Sequence, residues 1–84
     1  MFRVVITSRA ERELRRLDKS IKNRIVSAIH SLASEPRPPG CLKVKGEELW
    51  RIRVGDWRIG YGIDDRAKIV DVIRIGHRSQ FYNN

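Results

Sequence analysis

The stretch from Trp50 to Ile63 leaves the backbone few choices. Trp50, Ile52 and Val54 alternate with Arg51 and Arg53; after Gly55-Asp56, Trp57, Ile59, Tyr61 and Ile63 alternate with Arg58, Gly60 and Gly62. A period of two sends successive side chains to opposite faces of a strand, and a glycine in a tight connection supplies positive φ at no steric cost. The expectation is a hairpin of two antiparallel strands. If Gly55 and Asp56 are the whole loop, Val54 faces Trp57, Arg53 faces Arg58, Ile52 faces Ile59, Arg51 faces Gly60 and Trp50 faces Tyr61. One face of the hairpin is then apolar and the other basic.

The other elements follow from where the period changes. Phe2, Val4 and Ile6 alternate with Arg3 and Val5, giving an opening strand. Ser8-Arg9-Ala10-Glu11 reads as a capping box with Glu11 at the third helical position. Ala10, Leu14 and Leu17 then form one face of a helix that ends near Asp18. Ile21, Ile25, Ala28, Ile29 and Leu32 mark the apolar stripe of a second helix beyond a short break at Asp18-Lys19-Ser20, so the two should form an antiparallel hairpin. Pro36, Pro38 and Pro39 make residues 35–40 a loop, because proline lacks the donor a helix needs. A last strand runs from Lys68 to Ile75, and its nearly continuous Ile69, Val70, Val72, Ile73 and Ile75 suit a central position. The order is β-α-α-β-β-β. This is an α+β fold in which a two-helix antiparallel hairpin packs on a mainly antiparallel four-stranded sheet.

Eighty-four residues make one domain, residues 1–84, with no room for a second. The chain is 40% hydrophobic and 33% charged, too apolar for intrinsic disorder. No apolar run approaches the length of a membrane span, roughly 18 residues. The first residues lack the apolar core of a signal peptide, so a cytoplasmic location is expected. Cys41 is the only cysteine and cannot form an internal disulfide, which suits a reducing compartment. Lys and Arg number 18 against 10 Asp and Glu, a formal net charge of +8. Nucleic acid is the leading partner class for so basic a domain; an acidic protein surface and plain solubilising charge are the alternatives.

The hairpin narrows that choice. Directly opposed residues have Cβ atoms about 4.5 to 5.5 Å apart, where like charges destabilise a strand pair. Arg53 opposite Arg58 is a cost that folding does not explain, whereas an anion between the guanidiniums would reverse its sign. Gly60 and Gly62, on the same face, would let a ligand backbone approach. The competing reading is an ordinary solvated face with Glu47, Glu48 or Asp56 neutralising the arginines. After the last strand, Gly76-His77-Arg78-Ser79-Gln80-Phe81-Tyr82 gathers an imidazole, a guanidinium and a phenol. Histidine moves protons near neutral pH, which arginine does poorly, and a tyrosine can also stack on an unpaired base. A surface histidine and a tyrosine anchoring the chain end are the plainer alternatives.

These segments together resemble the RelE/ParE superfamily of type II toxin-antitoxin toxins. The resemblance runs through Ala10 to Leu14, Asp18 to Ser20, Pro36 to Gly40, Lys43 to Gly46, Trp50 to Ile59, and Arg74 to Arg78 with Tyr82. It implies two helices on a curved antiparallel sheet and a cognate antitoxin protein that wraps the toxin. It also implies contact with operator DNA only through the antitoxin complex, and no membrane. For the RelE branch it implies messenger RNA cleavage on the 70S ribosome, by attack of the ribose 2′-OH on the adjacent phosphate without metal or cofactor. Carried onto this sequence, Arg51 and Arg53, with Lys43 and Lys45, bind RNA phosphates, and Arg58, Arg78, His77 and Tyr82 form the catalytic set. Lysines stand at the positions of Arg51 and Arg53 in the RelE prototype, so any base role passes to His77 or Tyr82. ParE-type relatives share the fold but bind DNA gyrase without nuclease activity.

Overall fold

The computed structural model describes residues 1–81. Strands β3 (Trp50–Val54) and β4 (Trp57–Asp64) pair antiparallel across Gly55-Asp56, with Val54 opposite Trp57, Arg53 opposite Arg58, Ile52 opposite Ile59, Arg51 opposite Gly60 and Trp50 opposite Tyr61. Every expected pair is present. Gly55 takes φ +62° and Asp56 does not have positive φ, the arrangement of a type II′ turn.

β5 (Ile69–His77) lies beside β4, antiparallel, and on its other side pairs in parallel with β1 (Arg3–Ile6). The last strand is therefore central, flanked on both sides as its run of branched residues requires. A fifth strand, β2 (Leu42–Lys43), pairs with Trp50 and Arg51, completing the order β1-β5-β4-β3-β2. This corrects the four-stranded expectation: two residues are too few for an alternation to show in sequence. Strand β5 also begins at Ile69 rather than Lys68, since Lys68 adopts φ +59°, and it runs on to His77.

Two helices, α1 (Ser8–Arg15) and α2 (Lys19–Ser31), cover one face of the sheet. The cap of α1 is Thr7 rather than Ser8: the Thr7 hydroxyl accepts from the Ala10 N–H at 3.3 Å and donates to the Ile73 carbonyl at 3.3 Å. One residue thus starts the helix and closes an unpaired stretch of β5. Glu13 does the same from within the helix, accepting the Ile75 N–H at 2.7 Å. The rim of β5 beyond β1 is in this way kept from presenting orphan backbone groups. α1 ends at Arg15, short of the expected Asp18, because the next amides fold into a tighter turn, with Arg16 N–H on Glu13 and Leu17 N–H on Leu14. A further single-turn helix, α3 (Arg78–Phe81), follows β5 directly and was not expected.

The core lies between sheet and helices. Ala10, Leu14, Ile25, Ile29 and Leu32 meet Ile52, Ile59, Tyr61, Val70, Val72 and Ile75. Tyr61 is fully buried, and its hydroxyl donates to the Pro36 carbonyl at 2.7 Å, pinning the proline-rich loop. That loop is held again outside the core by Arg37, which forms a paired contact with Asp65 at 2.9 and 3.2 Å and lies 5.0 Å from the Trp50 ring centroid. No helix among the described residues is long and apolar enough to cross a membrane.

One irregularity decides where the end of the chain points. Gly60 pairs with Arg74 but Tyr61 pairs with Val72, so Ile73 is an extra residue on β5. A bulge of this kind re-aims the side chains that follow it. Val70 and Val72 face the helices; strict alternation would send Arg74 there too. The bulge instead places Arg74 with Gly60 on the open face, returns Ile75 to the core and carries His77 to the helix side opposite Trp57.

Candidate nucleic-acid interface

The open face of the sheet collects arginines from three elements. β3 contributes Arg51 and Arg53, β4 contributes Arg58, and β5 contributes Arg74 opposite Gly60. Arg78, the first residue of α3, stands just beyond Gly76, the partner of Arg58. Its backbone N–H donates to the Asp56 carbonyl at 2.8 Å, which ties α3 to the hairpin turn.

Arg58 is the centre of this group and, among the described residues, the only buried charged one, at 8% exposure. Its guanidinium Nη1 donates weakly, at 3.4 and 3.5 Å, to the carbonyls of Trp57 and Gly55, and its Nε is buried with no hydrogen-bond partner among the described residues. Burial pulls its pKa below that of an ordinary guanidinium, the positive charges of Arg53, Arg51 and Arg78 add to that, and Asp56 pulls the other way. A guanidinium does not discharge in a protein, so the cation stays and the cost stays with it.

Asp71, opposite Gly62, is a carboxylate on this face, while three other acidic groups do little to neutralise it. Glu48 pairs with Lys43 at 3.6 Å, Asp65 with Arg37, and Asp56 reaches Arg78 only at 4.0 Å with both side chains exposed. Arg53 is exposed and has no hydrogen bond or ion pair among the described residues. Among the described residues, Arg53 and the buried Nε of Arg58 are the groups of this face left to meet an anion.

Not every candidate residue is gathered here. Lys43 pairs with Trp50, so its side chain leaves the sheet on the helix side, and Lys45 sits exposed in the turn that Val44 and Leu49 close. The two lysines flank the arginine face at its β2 edge. His77 stands on the helix side with its ring edge-on to Trp57, centroids 5.5 Å apart. Its Nδ1 accepts the Ser79 N–H at 3.2 Å and lies 2.9 Å from the Ser79 hydroxyl. Tyr82 lies outside the described residues. Gly62 offers less room than its sequence position implies, since an added Cβ would meet Ile73 Cδ1 at 3.9 Å and the Glu48 carbonyl at 4.0 Å. Arg74, in contrast, belongs to the face although sequence reasoning did not single it out. Its Nη2 donates to the Gln80 carbonyl at 3.0 Å.

Comparison with known proteins gives consistent findings. Residues 4–82 match the family described as the ParE toxin of type II toxin-antitoxin system, parDE. A toxin RelE from Mycobacterium tuberculosis is 36% identical over 83 residues, covering 96% of this chain and 86% of the relative. Among solved structures, the archaeal RelE-RelB complex from Pyrococcus horikoshii superimposes with a TM-score of 0.83 at 26% identity, covering 94% of this chain and 97% of that one. The toxin-antitoxin complex RelBE2 from M. tuberculosis gives 0.82 at 29% identity, covering 92% and 98%.

Proposed function

This chain belongs to the RelE/ParE superfamily of type II toxin-antitoxin toxins, and from that premise we propose that it is a ribosome-dependent messenger RNA endoribonuclease that blocks translation in the cytoplasm. The observation that carries the reading is Arg58: a buried cation, ringed by three more, with one carboxylate opposing them. A phosphodiester placed there would supply the missing negative charge.

In the proposed reaction the ribose 2′-oxygen attacks the adjacent phosphorus and the bond to the 5′-oxygen breaks. The products are a 2′,3′-cyclic phosphate and a 5′-hydroxyl; one proton leaves the 2′-OH and one reaches the departing oxygen. Arg58 and Arg78 stabilise the charge that builds on the phosphorane oxygens, the role in which fixed donors contribute most. Arg51 and Arg53 hold flanking phosphates, with the exposed Lys45 extending the track; Lys43, on the helix side and paired with Glu48, lies off it. The proton role goes to Tyr82, since a phenol can serve as a general acid or base. His77, across the sheet with Nδ1 engaged, lies away from the reacting phosphate. A cognate antitoxin silences the toxin by covering the cationic face, and operator DNA is met only through that complex.

Mapping messenger 5′ ends after inducing the chain tests the reading: in-frame cuts are expected. The family description supports a second reading, a ParE-like inhibitor that binds DNA gyrase without nuclease activity; DNA damage with intact messengers would establish that one instead. Salt dependence tests the phosphate contacts separately. Each of Arg51→Ala and Arg53→Ala should weaken binding to all single-stranded RNA sequences alike and lower the slope of log affinity against log salt by about 0.7. An unchanged slope in the double variant would make the strand-β3 arginines a solvated surface.

A further inference from the structure

We propose that His77 is a positioning residue: it caps α3 and thereby holds Arg78 on the arginine face. Its effect on rate rests on the nuclease reading above. Ser79 is the second residue of α3, and its N–H is one of the donors that a helix start leaves without an intrahelical partner. The His77 Nδ1 accepts it at 3.2 Å, as a side-chain cap does, with the Ser79 hydroxyl alongside at 2.9 Å. Trp57 backs the ring from β4.

A single helical turn does not persist unaided, because nucleation fixes several residues for one hydrogen bond. α3 therefore depends on what restrains it. Among the described residues its restraints include His77 on the Ser79 amide, the Asp56 carbonyl on the Arg78 amide, and Arg74 on the Gln80 carbonyl. Among the described residues the Arg78 side chain has only the exposed 4.0 Å contact with Asp56, which fixes it weakly. Its placement beside Arg58 is inherited from the backbone of α3, which the cap holds together with the Asp56 carbonyl and Arg74.

The same geometry argues against a proton-carrying His77. A ring whose Nδ1 accepts a backbone N–H carries its single proton, when neutral, on Nε2. The strand register also puts that ring on the helix side of the sheet, across from Arg58.

The test compares His77→Ala with His77→Asn, which keeps a capping acceptor but cannot carry a proton. Single-turnover cleavage on programmed ribosomes should fall about five- to thirtyfold in His77→Ala, the upper part of the range that loss of a helix cap produces. His77→Asn should stay within about threefold of wild type with an unaltered pH–rate profile, and adding His77→Ala to Arg78→Ala should cost nothing further. His77→Asn as slow as His77→Ala, with loss of a limb between about pH 5 and 8, would make His77 a proton carrier and overturn the proposal. So would independent, multiplicative losses in the double variant.

If the wild-type toxin cuts no messenger, the nuclease reading falls and the positioning claim is judged without it. The same cycle is then read on affinity for a short single-stranded RNA, alongside hydrogen exchange of the Ser79 amide. Coupled losses and an amide protected in wild type and His77→Asn but not in His77→Ala support the proposal. Independent losses, or an amide equally exposed in all three, overturn it.

Discussion

Replacing Arg58 with glutamine should reduce single-turnover cleavage on ribosomes carrying a defined A-site codon by about a hundred- to a thousandfold, the cost of losing one preorganised charge-stabilising donor. Affinity for RNA should fall far less, since Arg51, Arg53 and Arg78 still meet the phosphates. Loss of fold is not the route to this effect. In the free protein the Arg58 charge is disfavoured first by burial and then by three like charges, so a neutral side chain of similar reach relieves a cost. The thermal midpoint of Arg58→Gln should match or exceed that of wild type. A variant that is more stable, still binds RNA and barely cuts would separate chemistry from binding. Full activity at saturating toxin would leave the nuclease reading without its central residue.

Tyr61→Ala should destabilise the fold by about 3 to 5 kcal/mol in urea unfolding, as for other buried aromatic rings cut to alanine. That is a large share of the total for so small a domain, about 5 to 15 kcal/mol. The ring sits in the middle of the core, fully buried, and its hydroxyl anchors the proline loop. Tyr61→Phe removes only the bond to Pro36 and should cost about 1 kcal/mol at neutral pH. The two proteins should part company in alkali. Burial raises the Tyr61 phenol above its ordinary 10.0. Above pH 10 the unfolded phenol ionises while the folded one keeps its proton, so the unfolded state binds fewer protons and stability falls as pH rises. This group alone contributes a fall of up to about 1.4 kcal/mol per pH unit, and nothing below pH 10. Tyr61→Phe should lack that component. Equal alkaline slopes would mean the phenol reaches solvent in the folded chain.

The hairpin was legible in sequence because alternation and a two-residue turn fix a register with no reference to the rest of the chain. All five pairs from Val54–Trp57 to Trp50–Tyr61 stand as the spacing requires. The helix stripes were legible for the same reason, and their core residues Ala10, Leu14, Ile25 and Ile29 are buried. What escaped depended on partners far away in sequence. Thr7 rather than Ser8 caps α1, and its hydroxyl also bonds Ile73, 66 residues on. The two residues of β2 become a strand only through Trp50 and Arg51.

The site divides along the same line. Arg51, Arg53 and Arg58 share a face because the local hairpin says so. Arg74 escaped because its strand reads as one long branched run, in which a single inserted residue leaves no trace. Counting by twos from Val72 assigns Arg74 to the core and misplaces His77. Only the pairing of β5 with β4 reveals the bulge, and that is a tertiary fact.

Strand β5 also sets a limit in time. Synthesis runs from the N-terminus, yet among the described residues the one sheet neighbour of β1 is β5, the latest made of the five strands. The hairpin of β3 and β4 likewise reaches β1 only through β5, so the two halves of the sheet stay apart until residues 69–77 emerge. Contacts this distant in sequence form late, after a large loop has closed. Arg78 follows immediately behind. A nascent chain therefore carries Arg51, Arg53 and Arg58 without the strand that backs them or the turn that completes them. The arginine face is assembled only after residues 69–78 have left the ribosome that makes them.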